Sequence, residues 1–171
     1  MDDLVFRDGI SYLKFSDVPF TGKVTGRGQE FDPPVESQGS FKNGKREGAW
    51  VYYHDNGQLW FKSNFKNGKE EGAYVRYYDN GQLDTKGNLK NGKEDGAWVY
   101  YHDNGQLWFK SNFKNGKEEG AYIAYHENGQ LQEKGNYENG KREGDWVEYT
   151  TNGERIPELS GIFKNGIKIS D

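Results

Sequence analysis

Residues 54–69 read HDNGQLWFKSNFKNGK: two Asn-Gly pairs, Asn56-Gly57 and Asn67-Gly68, with nine residues between them. Asn-Gly flanked by alternating apolar residues is the strongest short-range hairpin signal, because a type I′ turn needs positive φ at both central positions. The same reversal recurs along the chain in two series. One opens at Asn43, Asn67, Asn91, Asn115 and Asn139, the other at Asn56, Asn80, Asn104, Asn128 and Asn152, each in steps of 24 residues. Segments of nine and eleven residues alternate between the turns. None of them has a helical apolar period or room for a helix. The chain reads as all-β, an elongated single-layer antiparallel β-meander of repeated 24-residue hairpins.

Composition agrees with that reading. Only 32% of the residues are hydrophobic, yet 16% are aromatic, too many for a disordered segment. Rings rather than aliphatic side chains supply the apolar surface, and Tyr, Phe, Trp and Val suit strands. A formal net charge of −4 argues against a nucleic-acid binder. The absence of cysteine excludes disulfides and thiolate chemistry. No apolar run approaches the roughly 18 residues of a membrane-spanning helix. As it stands the chain opens without a signal peptide, which reads as cytoplasmic; a trimmed signal would make it periplasmic or exported.

Ala49–Tyr74 and Ala97–Tyr122 are the same string, so two consecutive units have been copied together. Copying is tolerated when each unit contacts mainly its neighbours. With a two-residue loop at every Asn-Gly, Leu59 pairs with His54, Phe61 with Tyr52 and Ser63 with Trp50. The next turn then pairs Ser63 with Gly72 and Phe61 with Tyr74. Each large ring (Trp50, Tyr74, Trp98, Tyr122) is expected to lie over two small residues on the strands that follow it. A bulge at Glu71-Gly72 would break this register, since Gly within a strand often marks one.

Strands about 4.8 Å apart advance the array roughly 10 Å per unit, giving a rod on the order of 60 Å. The expected organisation is an N-terminal cap over 1–19, a degenerate first repeat over 20–40, regular repeats over 41–153, and a C-terminal cap strand over 154–171. Proline in Phe31-Asp32-Pro33-Pro34 is expected to stop regular pairing near the front.

Candidate sites follow from the columns. His54, His102 and His126 share one column, about 19 Å and 10 Å apart by the strand spacing. A zinc ion needs ligands at about 2 Å each, so no single metal can collect them. The acidic pairs Glu70-Glu71, Glu94-Asp95 and Glu118-Glu119 recur once per unit beside lysines, as a solvated, mutually compensating ladder would. No catalytic constellation and no cofactor is implied. Lys62, Lys86, Lys110 and Lys134 form a positive stripe opposite the Trp50 face, a candidate for an anionic surface. Column 60 alternates Trp60, Asp84, Trp108, Gln132, so Trp60 and Trp108 are expected to be partly exposed. The column Tyr52, Arg76, Tyr100, Ala124, Glu148 is expected to tolerate water. Tyr52, Phe61, Tyr100 and Phe109, on the face opposite Trp60 and Trp108, complete two aromatic patches. Exposed Trp and Tyr clusters anchor protein interfaces, although rings can also simply pad a thin sheet.

The unit K-N-G-K-x-E-G-x-W/Y-V-x-Y-x-D-N-G-Q-L resembles the bacterial variant of the MORN repeat, over nearly the whole chain. The opening D-L-V-F-R-D-G-I-S-Y … V-P-F-T-G-K-V is similar to the usual front end of those proteins. The resemblance implies a MORN-like solenoid that binds a protein without catalysis, as an antitoxin or immunity-type neutraliser of a toxin or effector, or as a scaffold. A membrane surface is the alternative partner. A purely structural rod, monomeric or associating end to end, is the third reading.

Overall fold

The computed structural model describes residues 4–28 and 35–171; the expected proline break at 31–34 lies outside them. Leu4–Arg7 and Ile10–Leu13 pair as a separate two-stranded hairpin. From Gly22–Gly28 to Ile167–Ser170 the strands form one antiparallel sheet in which sequence neighbours are sheet neighbours. The first and last strands do not meet, so the meander stays open. This is the fold that the spaced Asn-Gly pairs dictate.

The two Asn-Gly series make different turns. At Asn67-Gly68 both residues have positive φ, 53° and 82°, as a type I′ turn requires. In the other series only the glycine does, as at Gly57 with φ 82°. There His54 N–H donates to Gln58 O at 2.8 Å and Gly57 N–H to His54 O at 2.9 Å, a three-residue loop closed by a left-handed glycine. Asn56 serves through its side chain instead. Its Oδ1 accepts from Gln58 N–H at 2.9 Å, and its Nδ2 donates to Asp79 O in the next unit's turn at 2.7 Å. The longer loop corrects the expected register: Leu59 pairs with Tyr53 rather than His54, and Trp60 is left as a one-residue bulge.

A second correction lies on the other side of the strand. Ser63 pairs with Tyr74 and Phe61 with Arg76, not with Gly72 and Tyr74. Between Ser63↔Tyr74 and Phe65↔Glu70 one strand advances two residues while its partner advances four. The surplus is a bulge at Glu71-Gly72, with Gly72 at φ 89°, where an L side chain is strained.

With this register one face carries a continuous aromatic layer. Trp50, Tyr52, Phe61 and Phe65 form a buried cluster. Farther along, Tyr74 meets Trp98 at 5.7 Å between ring centroids, and Tyr122 meets Trp146 at 5.7 Å, each pair leaning together across an intervening strand. The small residue beneath a tryptophan lies on the strand before it, not only on those after. A Cβ built on Gly39, Gly87 or Gly135 would stand 2.1, 2.2 or 2.3 Å from Cδ2 of Trp50, Trp98 or Trp146. Each indole N–H donates to the carbonyl next to that glycine: Trp50 to Ser40, Trp98 to Asn88, Trp146 to Asn136. In the alternate units Tyr74 stands opposite Ser63, so a smaller ring goes with a larger neighbour. Trp-over-Gly alternating with Tyr-beside-Ser gives the 48-residue copy a packing reason, and it lets a single sheet bury its own rings without a second layer.

Candidate functional site

The aromatic candidates fall on one face. Tyr52 stacks on Phe61 with centroids 4.1 Å apart and planes 13° apart, and Tyr100 stacks on Phe109 with the same values. Trp60 and Trp108, expected on the opposite face, stand edge-on to these stacks at 5.0 Å from Phe61 and 5.1 Å from Phe109. The bulge turns them there, since an unpaired residue breaks the strict up-down alternation of a strand. Each indole also neighbours a histidine, Trp60 with His54 at 5.8 Å and Trp108 with His102 at 5.7 Å.

Exposure divides the candidates. Tyr52 is 1% exposed and Phe61 9%, so both are core and offer no surface; Tyr100 and Phe109 are half-buried. Trp60 is half-buried, and Trp108 is 43% exposed. The column expected to tolerate water does not: Tyr52 and Ala124 are both 1% exposed. Its members vary because the facing column varies with them. Arg76 forms an ion pair with Asp84, and Tyr100 O–H donates to the Glu94 carboxylate. Burial, and then that carboxylate, push the Tyr100 phenol far above its ordinary range. Farther along, Arg142 is held between Glu133 and Glu148. Glu118 differs: burial, then the charges of Glu133 and Glu94, raise its carboxyl above the usual value.

The other face is open. Lys62, Lys86, Lys110 and Lys134 are all exposed there. They alternate across the sheet with half-buried branched residues: Lys62 pairs with Val51 and Val75, Lys86 with Val75 and Val99, Lys110 with Val99 and Ile123, Lys134 with Ile123 and Val147. Branched residues and lysine stems together cover the backbone, leaving the ammonium groups to water.

The histidines hold unit to unit. His54, His102 and His126 each place Nε2 within 3.0 Å of a carbonyl in the following unit, Tyr77, Tyr125 and Tyr149 respectively. Tyr78 takes the same place with its hydroxyl, donating to Tyr101 O at 2.7 Å. Among the described residues no group of three or more His, Asp or Glu is placed to hold a metal ion.

The acidic pairs differ from a merely solvated ladder. In Glu70-Glu71 and Glu118-Glu119 the second member caps the next type I′ turn, as Glu47 and Glu143 do in their own units. Asn67 N–H donates to Glu47, Asn91 to Glu71, Asn139 to Glu119 and Asn165 to Glu143, at 2.8–2.9 Å. The backbone of the first member supports the same turn, as when Gly92 N–H donates to Glu70 O at 2.8 Å. The sequence signal was available: an acid precedes every bulge glycine of the regular units, from Glu47 to Glu143.

A family model described as the MORN repeat variant matches residues 46–67, 70–91, 94–115 and 118–139. Among curated proteins none matches the chain. A solved structure it is similar to is the "Crystal structure of GtfA/B complex bound to UDP and GlcNAc", with 16% identity and a TM-score of 0.22. That similarity covers 86% of this chain, which spans only 24% of the other chain's length.

Proposed function

The chain belongs to the MORN repeat variant family, and from that membership we propose that it is a non-catalytic rod that binds another protein through the bulged indoles Trp60 and Trp108. The observation that carries this is the exposure of Trp108, 43%, in a sheet whose other tryptophans at positions 50, 98 and 146 are 1–3% exposed. Large exposed rings beside a rigid packed layer lose little conformational entropy on binding and anchor interfaces for that reason. Trp60 is its half-buried copy two units away, so a partner spanning both would engage one open and one partly covered anchor. Steric neutralisation of a toxin or effector, the antitoxin reading, is the specific form of this function; a scaffold uses the same contacts. The test is affinity capture from the native host with the wild type and the Trp60→Ala/Trp108→Ala variant, followed by titration of the captured partner. Binding weakened at least tenfold, with the fold intact by circular dichroism, is the expected result; unchanged affinity rejects these anchors.

The lysine row supports a second reading. Four exposed ammonium groups aligned on the open face suit an anionic surface, each worth about 1 kcal/mol near a charged membrane. Sedimentation with phosphatidylserine vesicles at low and high salt separates the two, because only this attraction is screened. Binding lost in Lys62→Gln/Lys86→Gln/Lys110→Gln/Lys134→Gln and kept in the tryptophan variant favours the membrane.

A further inference from the structure

Five of the six Asn-Gly type I′ turns give the Asn backbone N–H to a side-chain oxygen, Asn43 to the Thr21 hydroxyl at 2.9 Å and the rest to carboxylates; Asn115 is the exception among the described residues. Asn67, Asn91, Asn139 and Asn165 each give their backbone N–H to a glutamate of the preceding unit. At Asn115 the corresponding residue is Asp95, one methylene shorter, and Asn115 N–H finds no acceptor among the described residues. The rest of that turn is regular: Asn115 has φ 54°, Gly116 has φ 78°, and Gly116 N–H donates to Glu94 O at 2.9 Å. Only the carboxylate is missing.

A shallow depression of about 420 Å³ opens beside this turn, lined by Lys93, Lys114, Asn115, Lys117, Glu119 and Asn139. Its three ammonium groups are exposed. Glu119 is already committed, since its Oε2 accepts from Asn139 N–H at 2.9 Å. The capped turn at Asn67 carries the matching lysines, Lys45, Lys66 and Lys69. The difference at Asn115 is therefore an unmatched N–H donor amid a local excess of cations.

We propose that the Asn115 turn is an oxyanion site, in which a phosphate group takes the position that a glutamate carboxylate holds at Asn67, Asn91, Asn139 and Asn165, accepting from Asn115 N–H with Lys93, Lys114 and Lys117 around it. An anion that accepts a backbone N–H and faces ammonium groups makes charge-assisted hydrogen bonds, stronger than the neutral kind. Phosphate suits the site better than acetate because three lysines line the depression and the Glu119 carboxylate lines it too, so the ligand must bring more than one charge to prevail. Chloride offers no directed acceptor.

Amide chemical shifts of the intact chain, recorded while inorganic phosphate, acetate or sodium chloride is added at matched ionic strength, read the site directly. The expected result is a saturable shift of the Asn115 amide with phosphate, several-fold weaker affinity for acetate, and a merely linear drift with chloride. Asn91, whose amide is capped by Glu71, drifts linearly in all three. Asp95→Glu supplies the missing methylene and is expected to abolish saturation at Asn115. Glu47→Asp is expected to create it at Asn67. A response equal at Asn91 and Asn115, or one that survives Asp95→Glu, would show lysine screening alone and overturn the proposal. So would a silent Asn115 amide.

Discussion

Ala49–Tyr74 and Ala97–Tyr122 are identical in sequence and unlike in surroundings. In the first copy Tyr52 is 1% exposed, with Ser37 beside it on the preceding strand and Arg46 over the Trp50 ring at 4.8 Å. In the second, Thr85 stands beside Tyr100, and Glu94 replaces the arginine and takes the tyrosine's proton donor. On the far side Phe61 faces Arg76, whereas Phe109 faces Ala124. The small alanine leaves Phe109 half-buried and Trp108 open. The same residues are thus more deeply buried in one copy than in the other, two units away, and the neighbours that differ decide which.

The comparison breaks most visibly at the tryptophans. Trp50→Ala and Trp98→Ala are each expected to cost about 3–5 kcal/mol, the range for deleting a packed indole. Trp50 sits at the upper end because Arg46 is lost as a cation–π partner, worth about 0.5–1 kcal/mol. Urea unfolding of both variants checks this, with the slope examined for local opening of single units. A cost below 1 kcal/mol at either site would mean that the ring layer is not the core. Next in size is the pairing of ring and small residue. Gly87→Ser drives a side chain into Trp98 and is expected to cost about 1–3 kcal/mol, the range for overpacking. Adding Trp98→Tyr recreates the Tyr74–Ser63 pairing and should recover most of the loss. If the double variant is no better than the single, Trp-over-Gly and Tyr-beside-Ser are not interchangeable units.

A third change makes the first copy's surroundings those of the second. Arg76→Ala/Asp84→Gln replaces the ion pair by the residues found at Ala124 and Gln132. Removing both partners leaves no buried charge behind, so the stability change is expected to stay under about 1 kcal/mol. Its signature is optical. In a Trp108→Phe background, Trp60 emission should shift red and become more quenchable by acrylamide, approaching what Trp108 shows in a Trp60→Phe background. An unmoved Trp60 would trace the exposure difference to something other than this neighbour.

These contrasts also mark what the sequence could and could not disclose. Spacing of Asn-Gly pairs fixed the strands, their order and the open meander, because local turn chemistry determines a hairpin chain. Register was less legible. Asn56 and Asn67 look alike as letters, but one works through its backbone and the other through its side chain, and only the preceding acid at Glu47 or the downstream Gln58 tells them apart. The variability of Tyr52, Arg76, Tyr100, Ala124 and Glu148 suggested water, yet the column is packed and its changes are matched across the strand by Phe61, Asp84, Phe109 and Glu133. Variation between repeats measures what a neighbour can compensate, not exposure. The partial exposure of Trp108 is legible because Asp84 and Gln132 share its column; the burial of Tyr52 and Phe61 is not, because their identical copies differ only in what lies on the flanking strands.

The smallest effect concerns charge, where the ends and the middle of the array part. Arg46 and Arg142 lie over Trp50 and Trp146, at 4.8 and 4.3 Å, while the intervening units place Glu70, Glu94 and Glu118 in that column. Glu118 is raised by burial and by Glu133 and Glu94, and Glu133 is raised as well, mainly by burial, with Glu148 adding to it and Arg142 opposing. A carboxyl whose folded pKa lies above its unfolded value holds its proton more tightly in the native state. Its stabilising contribution is complete below the unfolded pKa of about 4.5 and disappears as pH rises through the folded value. At neutral pH the ionised Glu118 therefore opposes folding. Glu118→Gln keeps the shape and removes the charge, so its melting temperature should exceed the wild type's at pH 7, and the advantage should fade as the pH is lowered through the raised folded pKa and be gone below about 4.5. The same substitution at Glu94 lacks that benefit, because it removes a charged acceptor from Tyr100. A pH-independent gain from Glu118→Gln would assign the effect to packing, and a loss at pH 7 would show that the carboxylate is satisfied where it stands.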